Sequence, residues 1–185
     1  MWIWIVLGVI VVVAAIWVVV TYNGFVKLKN IVEESWRQID VELHRRYDLI
    51  PNLVETVKGY AAHERETFEN VTKARAAAVS PGAGPAEQAV QENMLTSALR
   101  QLLAVAEAYP DLKANQNFLE LQNSLTQTED RIAAGRRFYN ANVRTFNTKV
   151  ETFPPNIVAR IFNFVKKEYF EAEDPTVRAA PEVRF

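Results

Sequence analysis

The chain has 185 residues, two histidines, no cysteine and a formal net charge of -1, with 21 Lys and Arg against 22 Asp and Glu. That balance, with no long basic stripe, argues against nucleic acid as a partner. Without cysteine a His/Cys zinc site is excluded in practice, and a carboxylate-rich site is the metal chemistry left open.

Residues 2–20, WIWIVLGVIVVVAAIWVVV, are an unbroken apolar run, and the first charged side chain is Lys27. As a helix they extend about 28 Å, enough to cross a bilayer core. Trp2, Trp4, Trp17 and Tyr22 fall near its two ends, where amphipathic rings anchor at headgroups. A cleavable signal fits less well, because no basic segment precedes the run and it exceeds the roughly 7–15 apolar residues of a signal core. Residues 1–22 are therefore expected to be a retained transmembrane signal-anchor, held in membrane lipid by residues 2–20. Lys27, Lys29 and Arg37 follow the span and nothing basic precedes it. The positive-inside rule then predicts a single-pass protein of the cell membrane, N-terminus outside and main domain cytoplasmic. Lys27 and Lys29 either touch anionic headgroups at the membrane surface or simply set topology.

Residues 23–170 read as one helical domain, followed by an extended tail over 171–185. From Phe25 the apolar positions step through Leu28, Val32, Trp36, Ile39, Leu43, Tyr47 and Ile50, one face of a helix. Pro51 removes an amide donor, yet the rhythm resumes at Leu53, Val57 and Ala61 and continues to Phe68 and Val71. Either a kinked helix or two helices abutting at Asp48–Pro51 satisfies this, with Asp48 as a possible cap for the second half and an end near Val79. Residues 80–85, SPGAGP, are a loop. A second helix is predicted over 86–108, with Met94, Ala98, Leu102 and Val105 on one side. Tyr109-Pro110-Asp111 breaks it, and Asp111 is placed to cap a third helix reaching about Thr152. Its seam is Phe118, Leu121, Leu125, Thr128, Ile132, Gly135, Tyr139, Val143, Phe146 and Val150, the alternation of threes and fours found in coiled-coil-like packing. Gly135 costs a helix about 1 kcal/mol against alanine, and close approach of a neighbouring helix is the expected compensation. Tyr139 and Leu43 are predicted core residues. Pro154-Pro155 ends this element, and Ile157, Ile161, Phe162 and Val165 suggest a short fourth helix. No strand pattern or internal repeat is present. The expected fold is all-α: an N-terminal transmembrane helix followed by an antiparallel bundle of long helices.

Chemistry is sparse. His63-Glu64 begins a zinc-protease pattern, but Thr67 stands where the second histidine is needed. No serine lies in a GxSxG or SxxK setting, and there is no phosphate-binding glycine loop. No catalytic, cofactor-binding or metal residue is predicted. Arg45, Arg46, Asp48, Asn52 and Glu55 form the densest polar cluster, around Pro51. One reading is a partner or anion site, with arginines gripping a carboxylate or phosphate. The favoured reading is a structural polar network reaching Arg136, Arg137 and Asn140 of the third helix, because a bend must have its backbone groups satisfied. Trp36, Phe162 and Phe164 either complete the core or form an interface.

The segment RRYDLIPNLVETVKGYAAHE at 45–64 resembles the LemA family of bacterial membrane-anchored helical proteins. AYPDLKANQNFLELQ at 108–122, TEDRIAAGRRFYN at 128–140, Tyr22-Asn23 and Phe153-Pro154 match as well, so the resemblance spans nearly the whole chain. It implies a long antiparallel helical bundle on one membrane helix. It implies no catalytic residues and no cofactor, and its members' company hints at membrane proteases or other envelope proteins as partners. The function expected is therefore a non-enzymatic membrane-anchored scaffold or adaptor of the cell envelope, working as a homo-oligomer. The alternative is a membrane-associated enzyme or metal-dependent regulator with an unrecognised carboxylate site.

Overall fold

The structure is a computed structural model that describes residues 1–80 and 84–171. Among these residues there are six helices and no strand: α1 Trp2–Lys58, α2 Arg65–Val79, α3 Pro85–Glu107, α4 Pro110–Lys113, α5 Gln116–Glu151 and α6 Pro155–Ile161. The fold is all-α, as the periodicity predicts. The tail predicted over 171–185 lies outside the described residues beyond Glu171.

α1 runs through Pro51 without interruption. The chain breaks after Lys58 instead, where Gly59, a poor helix former, opens a turn closed by Tyr60 N–H to the Val57 carbonyl at 3.0 Å. Neither helices abutting at residues 48–51 nor an N-cap at Asp48 occurs. Asp48 is an exposed residue inside α1. Pro85 begins α3 at the position where a missing amide proton costs nothing. The buried stripe of α3 is Gln88, Glu92, Leu95, Leu99, Leu102 and Ala106. Met94, expected inside, is 62% exposed, because two polar side chains open the true stripe and shift its phase. Asp111 falls in the one-turn α4. The cap of α5 is Asn115, whose Oδ1 accepts the Phe118 N–H at 3.1 Å. α6 ends in a left-handed Asn163 (φ 56°), with Phe164 N–H on the Ala159 carbonyl at 2.8 Å and Asn163 N–H on that of Arg160 at 3.4 Å. This six-to-one and five-to-two pair is a Schellman ending, with asparagine in the place glycine usually takes.

The chain divides into two compact units. The first comprises Met1–Asp40 with Ala134–Lys167. In it Phe25 meets Phe146 edge-on at 6.1 Å, Trp36 lies 5.4 Å from Tyr139, and a Cβ on Gly135 would stand 3.0 Å from Cγ1 of Ile39. Rising numbers in α1 meet falling numbers in α5, so the two run antiparallel. The close approach expected at Gly135 is present, and its partner is Ile39. Phe164 stacks on Phe25 at 4.8 Å, and the Asn147 side chain both donates to the Lys167 carbonyl (2.9 Å) and accepts its N–H (2.8 Å). These contacts fasten the segment after α6 to the helix pair. Residues 1–16 are exposed along an apolar stretch of α1 long enough to cross a membrane.

The second unit comprises Val41–Ala133 with the residues from Glu168. Its buried side chains include Leu43, Ile50, Leu53, Val57, Leu95, Leu102 and Leu112. Tyr47 reaches Ala78 and Lys58 lies over the Phe68 ring, which sets α1 and α2 antiparallel. Glu42 meets Arg131 and Arg46 meets Glu129, so α1 and α5 are antiparallel here too.

Candidate functional site

The chemistry of the second unit concentrates on one turn of α1. Arg46 and Glu92 are each 1% exposed and form an ion pair between α1 and α3. Arg46 also donates to Thr96 Oγ1 at 3.1 Å and pairs with Glu129 of α5. A lone buried guanidinium would be costly, and two carboxylates offset its charge while Thr96 takes one of its protons; its buried Nε has no hydrogen-bond partner. Tyr47, the next residue, donates its hydroxyl proton to Glu92. Gln88, one turn before Glu92 on α3, donates to Glu92 at 2.8 Å and to the Ala78 carbonyl at 2.9 Å. Ala78 lies in the last turn of α2, where carbonyls lack partners within their own helix.

Pro51 explains one more member. It has no N–H to offer the carbonyl four residues back, that of Tyr47. Arg75 of α2 supplies the donor instead, its Nε bonding the Tyr47 carbonyl at 2.8 Å. α1 thus passes through its proline because a neighbouring helix replaces the missing bond. What the arrangement does chemically is join α1, α2, α3 and α5 through buried charge-assisted bonds.

Of the cluster singled out around Pro51, Arg46 alone is buried in this network. Arg45, Asp48, Asn52 and Glu55 are exposed, and Glu55 pairs with Lys58 on the surface at 3.0 Å. Arg136, Arg137 and Asn140 belong to the first unit, where Asn140 is buried, Arg136 half-buried and Arg137 exposed. The partners sequence reasoning missed are Gln88, Glu92, Thr96, Glu129 and Arg75. A signal for three of them existed: Gln88, Glu92 and Thr96 recur every four residues. The first two also fit the three-four rhythm of Leu95, Leu99 and Leu102.

The first unit holds an aromatic cluster just past the apolar run. Phe162 lies 4.7 Å and Phe164 5.7 Å from Tyr22. Trp36 is half-buried against Tyr139 and Phe164 is half-buried on Phe25, while Phe162 stays exposed. Lys27 is exposed, Lys29 pairs with Glu33 at 3.8 Å, and Lys167 reaches the same carboxylate at 3.8 Å. Lys149 Nζ sits 4.7 Å from the Phe25 ring centre, and burial holds its pKa below the ordinary lysine value. Among the described residues no group of three or more His, Asp or Glu side chains converges as a metal-ligand set.

The chain is similar to two magnetosome proteins of Paramagnetospirillum magneticum, MamQ 1 and MamQ 2, each 30% identical over 81% of this chain and 64% of its own length. It is also similar to Protein LemA of Metamycoplasma hominis, 26% identical over 82% of this chain and 69% of that protein. The chain thus spans somewhat less than two thirds of the magnetosome relatives it matches. The sequence profile of the LemA family matches residues 35–185, which takes in the buried network around Arg46 and the aromatic segment after α6. A match of that extent, on a helical bundle led by an apolar helix, makes the chain a member of the LemA family.

Proposed function

We propose that the chain is a non-enzymatic, membrane-anchored helical scaffold that works as a homo-oligomer and offers its bundle surfaces to membrane-protein partners. The observation that carries this reading is the continuity of α1. The exposed apolar stretch and the buried face from Phe25 onward belong to one helix with no linker between them. An anchor joined this way fixes the direction in which the domain leaves the membrane. Copies so held share an axis, and membrane confinement favours closed symmetric assemblies. The ion pairs and hydrogen bonds of Arg46, Glu92 and Gln88 tie neighbouring helices together, which suits a rigid support. MamQ and LemA relatives support a membrane-associated role. The experiment is a mass measurement of the full chain held in lipid nanodiscs. A multiple of 21.1 kDa is expected, and a single chain at every concentration overturns the oligomer.

A further inference from the structure

Much of the apolar surface of α6 and the residues after it is left exposed in its own unit. Val158 and Ala159 face inward and are buried, whereas Phe153, Ile157, Ile161, Phe162 and Val165 are exposed, Ile161 at 67% and Val165 at 62%. Ile157 and Ile161 share a helical face. Five large apolar side chains are exposed within thirteen residues, denser than the single exposures ordinary on a protein surface. The position of this patch is fixed by a ring contact: Phe162 lies 4.7 Å from Tyr22, which follows the apolar run by two residues. Burial along α1 starts at the same level. Trp17 and Val18 are half-buried and Thr21 is buried, while the run before them is exposed.

We infer that residues 153–165 make a second contact with lipid, lying in the headgroup interface beside the point where α1 leaves the bilayer. This rests on the anchoring of α1 proposed above. Phe162 touches Tyr22 at the foot of the anchor, and this adjacency to the proposed lipid-facing run selects a membrane surface as the occupant. Charge agrees. Exposed Arg160 lies among the apolar side chains and Lys166 follows them, Lys27 stands between one and two turns beyond Tyr22, and Lys29 and Lys166 are paired with Glu33 and Glu151. Basic side chains around an apolar face are the composition of interfacial segments, their stems lying along lipid and their heads reaching phosphate. Two contacts on one leaflet restrict rotation of α1 about its axis, which a single span leaves unrestricted. Asn163 gives the segment its compact form, since the Schellman ending turns Phe164 inward onto Phe25 and leaves Phe162 and Val165 outward.

The test uses the full chain in phosphatidylcholine–phosphatidylglycerol vesicles. The absence of cysteine allows a nitroxide at single engineered cysteines: I161C and V165C in the patch, V11C in the anchor, and R37C as a water-facing reference. Relaxation by lipid-soluble oxygen and by an aqueous nickel chelate reports depth. The expected result is an oxygen-to-nickel ratio at 161 and 165 severalfold above that at 37 and below that at 11. Ratios at 161 and 165 equal to that at 37, with 11 in lipid, overturn this contact and leave the anchor standing. A water-like ratio at 11 overturns both. Labels at 161 and 165 shielded from both reagents mean that a second chain covers the patch, and the lipid contact falls.

Discussion

At the scale of single residues, the buried pair Arg46–Glu92 makes a stability prediction with a definite pattern. Removing one partner leaves an uncompensated buried charge, so Arg46→Met is expected to cost about 3–5 kcal/mol in urea unfolding of the detergent-solubilised chain. Adding Glu92→Met removes the charge that the first change stranded. The double variant should therefore be no less stable than the worse single, and strict additivity within about 0.5 kcal/mol would show that the two do not act as a pair. A second cycle tests the account of Pro51. Arg75→Met strands the Tyr47 carbonyl and should cost about 1–3 kcal/mol. In a Pro51→Ala background the new amide at 51 can bond that carbonyl, and the cost of losing Arg75 should fall by at least half. An equal cost in both backgrounds would mean that Arg75 is held for another reason. Sequence reading reached Arg46 and the principle that a proline frees a carbonyl. It could not reach Arg75 or Glu129, because a polar side chain on a half-exposed helix face looks the same whether it meets water or a neighbour far along the chain.

At the scale of elements, what was legible is what repeats. The α1 positions Val32, Ile39, Leu43, Tyr47 and Ile50 and the α5 positions Phe118, Leu125, Ile132, Tyr139 and Phe146 are all buried, since a three-four rhythm sustained over many turns has one geometric solution. Boundaries were less legible, because they depend on competition among weak signals. Pro51 is the strongest local breaker in its segment, but a bond from α2 offsets its cost and Gly59 sets the end of α1. Asn115 displaced Asp111 as the cap because Pro110 starts a separate short turn. Gly135 is the element-scale feature whose meaning transferred intact. Ile39 is buried and β-branched, so its side chain cannot easily move from a methyl placed 3.0 Å away. Gly135→Ala is therefore expected to destabilise by about 1–3 kcal/mol despite alanine's better helix propensity. Placed on an Ile39→Ala chain, where the obstructing atoms are gone, the same change should be neutral or stabilising. A stabilising Gly135→Ala with Ile39 intact would contradict the close approach of α1 and α5.

At the scale of the whole molecule the remaining question is sidedness, and the argument is electrostatic. Lys27, Lys29 and Arg37 all lie within about 15–20 residues of the end of the apolar run, the range over which basic residues set orientation. Lys29 and Arg37 are each paired with a glutamate, at 3.8 Å and 3.6 Å, but acidic residues count for little in this rule, so the pairing does not cancel the bias. The contact inferred for residues 153–165 is neutral on the matter, because an interfacial segment would rest on whichever leaflet α1 leaves. We therefore expect the helical domain to be cytoplasmic and the N-terminus outside. Two single-cysteine variants test the two sides of the membrane: Trp2→Cys at the exposed start of α1 and Met94→Cys on the exposed side of α3. In intact cells an impermeant thiol reagent should label position 2, and label position 94 only after lysis. The reverse pattern would invert the topology while leaving the fold, the buried network and the anchoring of α1 unchanged.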